Sequence, residues 1–253
     1  RRIIKNNDCL PITIGIVNGK VKCGLSNDEI EMFGKSNDIK KCTQRDISTS
    51  IVNKYNSALT VGGCLFIMDQ INVEVLVTGG IGGVSRNAYK DFDISADLVA
   101  LSTFGKIVVC SGIKAFMGIT ETLEFLETNS VLVCTYQSDT LPLFYTKNSK
   151  YKIENIINNQ SEVLDIHYTN KKLNMNKSIL ICNPINNAYS IDSDYLDKII
   201  ENSIKESTKK GIYGKNLTPF ILSEISKKTN NETLLSNIEL IKSNAKLGAE
   251  ILK

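Results

Sequence analysis

The sequence has no C-x-x-C pair, a single histidine, little net charge and no long apolar run. Each shortage removes a class of function. Seven cysteines are scattered, and five of them, Cys23, Cys64, Cys110, Cys134 and Cys182, lie in apolar runs. They read as reduced, buried thiols of a cytoplasmic protein rather than a disulfide or zinc framework. The one histidine, His167, sits in a polar, low-complexity stretch and reads as a surface residue. That argues against a soft-metal centre or a Ser-His-Asp triad. A formal net charge of +3 over 253 residues is too small to argue for nucleic acid, though converging positive groups would still favour a small anion. No apolar stretch approaches the roughly 18–20 residues of a membrane helix. Nothing repeats at a fixed period. The opening RRIIKNNDCLP has neither an initiator Met nor an apolar signal core. It reads as the tail of a helix entering the strand ITIGIV, and residues upstream of Arg1 are expected to be missing.

What is present suits one domain over residues 1–253, with 42% hydrophobic and 23% charged residues. PITIGIVNGKVKCGL holds two β-rich runs around Asn18-Gly19, a hairpin signal. Ser26 and Glu29 have capping-box spacing and predict a short helix. NKYNSALTVGGCLFIMDQI reads as helical, VEVLVTGG as a buried strand, and SADLVALSTF as a helix capped by Ser95. KIVVCSG is the next strand and IKAFMGITETLEFLE the next helix. SVLVCTYQ and SILICNP are further buried strands. The last third is mostly helical: SDYLDKIIENSIKES, TPFILSEISKK and TLLSNIELIKSNAKLGAEIL. Buried strands alternating with helices predict an α/β class, a layered α/β/α fold with a mixed central sheet and a helical C-terminal part. Ligands in such folds gather where strand ends meet helix starts.

Four glycines crowd five positions in VTGGIGGV. The loop matches neither G-x-G-x-x-G, because Ser85 takes the last position, nor a P-loop. Glycines still let backbone N–H groups approach an anion, so a ligand loop and a plain tight exit both remain open. Asp93 and Asp97 follow, and need not share a face at an extended-to-helix junction. A carboxylate there suits Mg²⁺ or Mn²⁺, which prefer oxygen ligands. Lys114 stands just beyond an apolar strand. It is either a solvated lysine or a partly desolvated amine able to form an imine with an aldehyde. Lys41 is either a surface charge or a phosphate holder together with Arg45.

These segments carry a resemblance. PITIGIVNGKVKCGLSNDEIEMFG, VTGGIGGVSRNAYKDFDISADL, VVCSGIK, LEFLET, CNPI, GIYGKNLTPFIL and LLSNIELIKSNAKLGAEI resemble the pseudouridine-5'-phosphate glycosidase, indigoidine synthase A-like, family. The likeness is collinear from about Ile4 to the C-terminus, and only residues 147–177 match poorly. The resemblance implies reversible cleavage of the C–C glycosidic bond of pseudouridine 5'-phosphate to uracil and ribose 5-phosphate, with Mn²⁺ or Mg²⁺, in a homotrimer. It implies that Lys114 forms the imine and that Asp93 holds the metal. Ser95, Ala96, Asp97, Lys41 and Val61 would contact substrate, Asn237 would be an active-site asparagine, and Thr78 would contribute at the start of the glycine loop. Two departures stand out. No residue matches the proton-donating Glu of the family's ALESTIISHG-like segment, and Ser85 stands where family members often have His. A sugar-phosphate-binding homologue without turnover, or an imine-forming aldolase, therefore remains an alternative.

Overall fold

The computed structural model describes residues 1–212, 216–229 and 231–253, with Lys90 and Asp91 described for their backbone alone. Residues 213–215 of the GIYGKNLTPFIL motif lie outside the described residues.

The chain begins with a short helix α1 (Arg2–Lys5) and the hairpin β1 (Ile14–Val17) and β2 (Lys20–Cys23). Asn18 and Gly19 both have positive φ, and Val17 pairs with Lys20, as a two-residue primed turn requires. Helix α2 (Asn27–Lys35) starts at the expected capping box. Glu29 N–H donates to Ser26 Oγ at 3.1 Å, and Ser26 N–H donates to Glu29 Oε2 at 2.9 Å. Strand β3 (Lys40–Cys42), helix α3 (Ile47–Val52), strand β4 (Ser57–Leu59) and helix α4 (Val61–Gln70) complete a first layer. Its sheet has the order β2-β1-β4-β3, with β3 parallel to β4 and the other pairs antiparallel. The expected single helix over NKYNSALTVGGCLFIMDQI is thus corrected. Ser57–Leu59 is a strand, because it fills the gap between β1 and β3, and the helix begins only after Thr60.

The larger sheet is built from β5 (Val75–Val77), β7 (Ile107–Cys110), β9 (Leu132–Tyr136), β10 (Ile156–Ile157) and β11 (Ile179–Cys182). Its order is β10-β9-β11-β7-β5 and every pair is parallel. The expected mixture of pairing directions therefore sits in the smaller sheet. Between β5 and β7 come the short β6 (Val84–Ser85), α5 (Ala88–Asp91) and α6 (Ala96–Thr103). After β7, β8 (Met117–Gly118) pairs antiparallel with β6, and α7 (Ile119–Thr128) follows. The remaining helices are α8 (Gln160–Lys172), α9 (Ser193–Lys209), α10 (Leu217–Lys228) and α11 (Glu232–Ile251).

Strands β7 and β11 are buried on both faces, as continuous apolar runs demand of a parallel sheet. Val108, Cys110, Leu180 and Cys182 face one core with α6, α7, α9 and α10. Ile107, Val109, Ile179 and Ile181 face the other, with Val163 of α8 and Leu247 and Ile251 of α11. Helices on both faces of a parallel sheet give the α/β/α layering. Helix α11 comes especially close: a Cβ on Gly248 would lie 2.4 Å from Val77 Cγ2. Among the described residues, no helix is long and apolar enough to cross a membrane.

Three further expectations are corrected. His167 is buried, not on the surface, because it lies on the inner face of α8. Its Nε2 donates to Glu74 Oε2 at 3.1 Å. Glu74 also accepts from Lys171 at 2.7 Å and lies 3.8 Å from the buried Lys106 ammonium, below the start of the sheet. Cys23 is exposed, because β2 is the outermost strand of its sheet and carries few inward residues, and Cys64, on α4, is half-buried. The helix expected from Ile113 starts only at Ile119. Residues 111–114 are instead drawn into backbone pairing with the glycine loop.

Candidate active site

The glycine loop leaves β5 and runs beside the exit of β7. Thr78 N–H donates to Val109 C=O at 3.0 Å, and Ser111 N–H donates to Gly79 C=O at 2.9 Å. Ile81 N–H then donates to Gly112 C=O at 3.1 Å, and Lys114 N–H to Ile81 C=O at 3.2 Å. The two segments zip together beyond the carboxyl end of the parallel sheet, which is where such folds bind ligands. Lys114 stands at the end of that zip.

Asp97 is the hub. It is buried at 6% exposure, two residues into α6. Gly62 N–H, in the first turn of α4, donates to Oδ1 at 2.9 Å. Gly82 N–H donates to Oδ2 at 3.1 Å. The approach is close: a Cβ on Gly82 would fall 2.3 Å from Ser95 Oγ. Ser95 caps α6 as expected, accepting from Asp97 N–H at 3.3 Å. One carboxylate thus joins the first layer, the glycine loop and α6.

Lys114 is half-buried, and its pKa is lowered. Desolvation is the main cause, the nearby Asp97 charge opposes it, and Lys41 adds repulsion in the same direction as desolvation. The amine is therefore held toward its neutral, nucleophilic form. Lys41 is exposed on β3, within electrostatic reach of Lys114. Val61 is the first residue of α4, and Ala96 the exposed first residue of α6. Asn237, on α11, faces the glycine loop: its Oδ1 lies 3.4 Å from the place a Cβ on Gly79 would take. Among the described residues, that Oδ1 is the one buried side-chain polar atom without a hydrogen-bond partner. Such an orphan costs about 1–3 kcal/mol and stands against the rule that buried polar groups are paired.

The structure does not bring together everything the sequence suggested. The exposed Arg45 guanidinium leans on Asp46, its Nε 3.6 Å from Oδ1. The loop offers fewer N–H groups to an anion than its glycines suggested. Those of Thr78, Ile81, Gly82 and Val84 are spent on Val109, Gly112, Asp97 and Thr122, because the loop must also tie the β5 exit to the β7 exit, α6 and α7. Asp93 is half-buried on the return toward α6, where its C=O accepts from Ser85 N–H at 2.9 Å. No three His, Cys, Asp or Glu side chains gather as a metal cage among the described residues. Both Asp97 oxygens already serve backbone donors. Asp93 is a carboxylate, the ligand type that a magnesium-like ion prefers.

Two residues of the site escaped the sequence. Asn244 is fully buried two turns beyond Asn237 on α11. Its Nδ2 donates to Thr78 C=O at 2.9 Å, and its Oδ1 accepts from Asn183 Nδ2 at 3.0 Å. It fixes α11 against both strand exits. The seven-residue spacing of the two asparagines on an otherwise amphipathic helix was the available signal. Phe144 lies against the loop, with a ring carbon 2.6 Å from where a Cβ on Gly80 would sit. Nothing local in LPLFYT marks it.

The sequence pattern of the indigoidine synthase A like protein family matches residues 1–253. The chain belongs to that family. It is 41% identical to a protein of Caldanaerobacter subterraneus subsp. tengcongensis, over 98% of this chain and 81% of the relative. It is 42% identical to one of Petrotoga mobilis, over 99% and 82%. Both relatives are named pseudouridine-5'-phosphate glycosidase. Among solved family-like structures, the prealnumycin C-glycosynthase AlnA in complex with ribulose 5-phosphate superposes with a TM-score of 0.91 at 26% identity, over 99% of this chain and 82% of that one. An indigoidine synthase A-like protein from Thermotoga maritima superposes with a TM-score of 0.90 at 32% identity, over 99% and 84%.

Proposed function

We propose that this family member is an enzyme that reversibly cleaves the C–C glycosidic bond of pseudouridine 5'-phosphate, giving uracil and ribose 5-phosphate through an imine on Lys114. The relatives' names support the substrate, and a neighbour that binds a pentose phosphate supports the sugar end. The observation that carries the mechanism is the Lys114 amine: anchored at the sheet's carboxyl end, half-buried, and biased toward its neutral form. Carbon is a poor leaving group. The electron pair of the breaking bond stays on uracil C5, which must gain a proton. Lys114 Nζ bonds to C1' as the C1'–O4' bond opens, the two protons the amine sheds balance those gained by O4' and by uracil C5, and water later hydrolyses the imine to free ribose 5-phosphate and the amine.

The other residues orient the sugar. Lys41 and the first turns of α4 and α6, at Val61, Ser95, Ala96 and Asp97, take the phosphate and ribose hydroxyls. Asn237 offers its unpaired Oδ1 to a substrate donor, and Thr78 shapes the loop entrance. Asp93 would hold Mn²⁺ or Mg²⁺, which would supply positive charge to the substrate's oxygens. We place the enzyme in the cytoplasm, as its seven free thiols favour, and assign it a homotrimer, as the family resemblance implies; analytical ultracentrifugation reads the latter.

The decisive experiment mixes the protein with ribose 5-phosphate and borohydride. Imine formation from this product needs no proton donor for uracil C5, so the trap reads the lysine alone. Mass spectrometry should find the reduced sugar phosphate on the peptide containing Lys114 and on no other. An adduct elsewhere, or none on folded protein, removes Lys114 as nucleophile and leaves the aldolase or the binding homologue.

A further inference from the structure

Arg86 follows β6 and was given no part in the chemistry. Its guanidinium is half-buried against the turn that carries Lys114. Nη2 donates to Ala115 C=O at 2.8 Å, and Nε lies 3.4 Å from Met117 C=O. Asp197 of α9 accepts from the same Nη2 at 3.1 Å, from the solvent side. Ala115 and Met117 are themselves buried. Within the turn, Met117 N–H donates to Lys114 C=O at 2.9 Å, while Lys114 N–H is held by Ile81. The backbone therefore fixes the near side of the turn, and Arg86 fixes the carbonyls of its far side.

We infer that Arg86 is a positioning residue, whose planar fork sets the direction in which the Lys114 amine leaves the sheet. The inference rests on the reading of Lys114 as nucleophile. The fork is suited to the task because it is rigid and spans two carbonyls two residues apart; a lysine ammonium is a point charge and would serve one of them. A phosphate-binding arginine would turn its fork toward the ligand. Here the fork is engaged by two main-chain oxygens and one carboxylate, so Arg86 acts through the turn rather than on substrate.

The test is the borohydride trap with ribose 5-phosphate, run on the wild type, Arg86→Met, Arg86→Lys and Asp197→Asn, with the maximal rate, the half-saturating concentration and the pH profile measured for each. Misplacing a reacting group by an ångström costs on the order of 100-fold, so Arg86→Met should lose about that much of its maximal trapping rate. Its half-saturating concentration should stay at the wild-type value. Its acid limb should move to higher pH, because a looser turn lets water reach Lys114. Arg86→Lys should recover part of the rate. Asp197→Asn removes only an exposed partner and should stay within about threefold of wild type. If Arg86→Met does not fold, Arg86→Lys, which keeps the charge and one donor, decides: a reduced rate with the shifted acid limb supports the inference. Wild-type trapping in either Arg86 variant overturns it, and so does a loss confined to the half-saturating concentration, which would make Arg86 a phosphate ligand. No adduct even in the wild type instead overturns the lysine mechanism, and this inference with it.

Discussion

Two charges pull the Lys114 amine in opposite directions. Lys41 disfavours its protonation and Asp97 favours it, both on top of a desolvation that lowers its pKa. Removing each should therefore move the acid limb of imine trapping oppositely: upward in pH for Lys41→Ala, downward for Asp97→Asn. The two substitutions differ in cost as well. Lys41 is exposed, so its loss should appear as a raised KM, by the roughly 1.5–3 kcal/mol of a hydrogen bond to a charged group, with an unchanged melting point. Asp97→Asn turns an amide N–H₂ onto a backbone N–H at Gly62 or Gly82, and should destabilise the fold by about 1–3 kcal/mol. Acid limbs that move together would contradict this electrostatic picture. Asp93 is separable from both. Asp93→Asn should weaken Mn²⁺ binding and activity together, and an unaltered metal titration would remove it as ligand. At this scale the sequence was partly legible. Asp97 and Lys114 stand in specific motifs, whereas Asn244 and Arg86 act through main-chain oxygens that no motif displays.

Helix α8 gives the clearest prediction at the scale of the element. It docks on the sheet through Val163 and His167, the latter against Glu74. Burial lowers the His167 pKa, and Glu74 offsets this only in part. The unfolded chain, near the ordinary 6.5, therefore binds more protons than the folded one as the solution is acidified. The stability this histidine contributes is complete above that value and is lost as pH falls through the lower folded pKa. Glu74 adds a loss of the same sign further down. Burial raises its pKa, but the Lys171 hydrogen bond and the neighbouring Lys106 charge outweigh burial and leave it below 4.5. Denaturation midpoints should fall between pH 7.5 and 5.5 in the wild type, and less steeply in His167→Gln; equal slopes would sink the idea. This helix was hidden because its polar composition drew attention from its start, where Glu162 N–H donates to Asn159 Oδ1 at 3.1 Å. The capping box of α2 and the hairpin at Asn18-Gly19 were legible because each is settled within four residues. Strand β4 was not, because only its partners β1 and β3 make Ser57–Leu59 extended.

For the molecule as a whole, the site joins parts that are distant along the chain: β3 and α4 of the first layer, the exits of β5 and β7, and α11. A ligand spanning them stabilises all of them together. Ribose 5-phosphate at a hundredfold excess over its Kd should add about 2.7 kcal/mol to unfolding, and unphosphorylated ribose should add little. Equal shifts by the two sugars would contradict an anion-binding site around Lys41. By itself the sequence determined the alternation of buried strands and helices, the caps and turns, and the motifs that mark the family, because each depends on neighbours a few residues away. Tertiary structure alone decided which charges meet. It buried His167 on Glu74, spent N–H groups of the glycine loop on the β7 exit, Asp97 and Thr122, and set Asn237 and Asn244 against the strand exits. Those outcomes depend on the register of the sheet and the rotation of α11, which are fixed by packing between segments far apart in the chain.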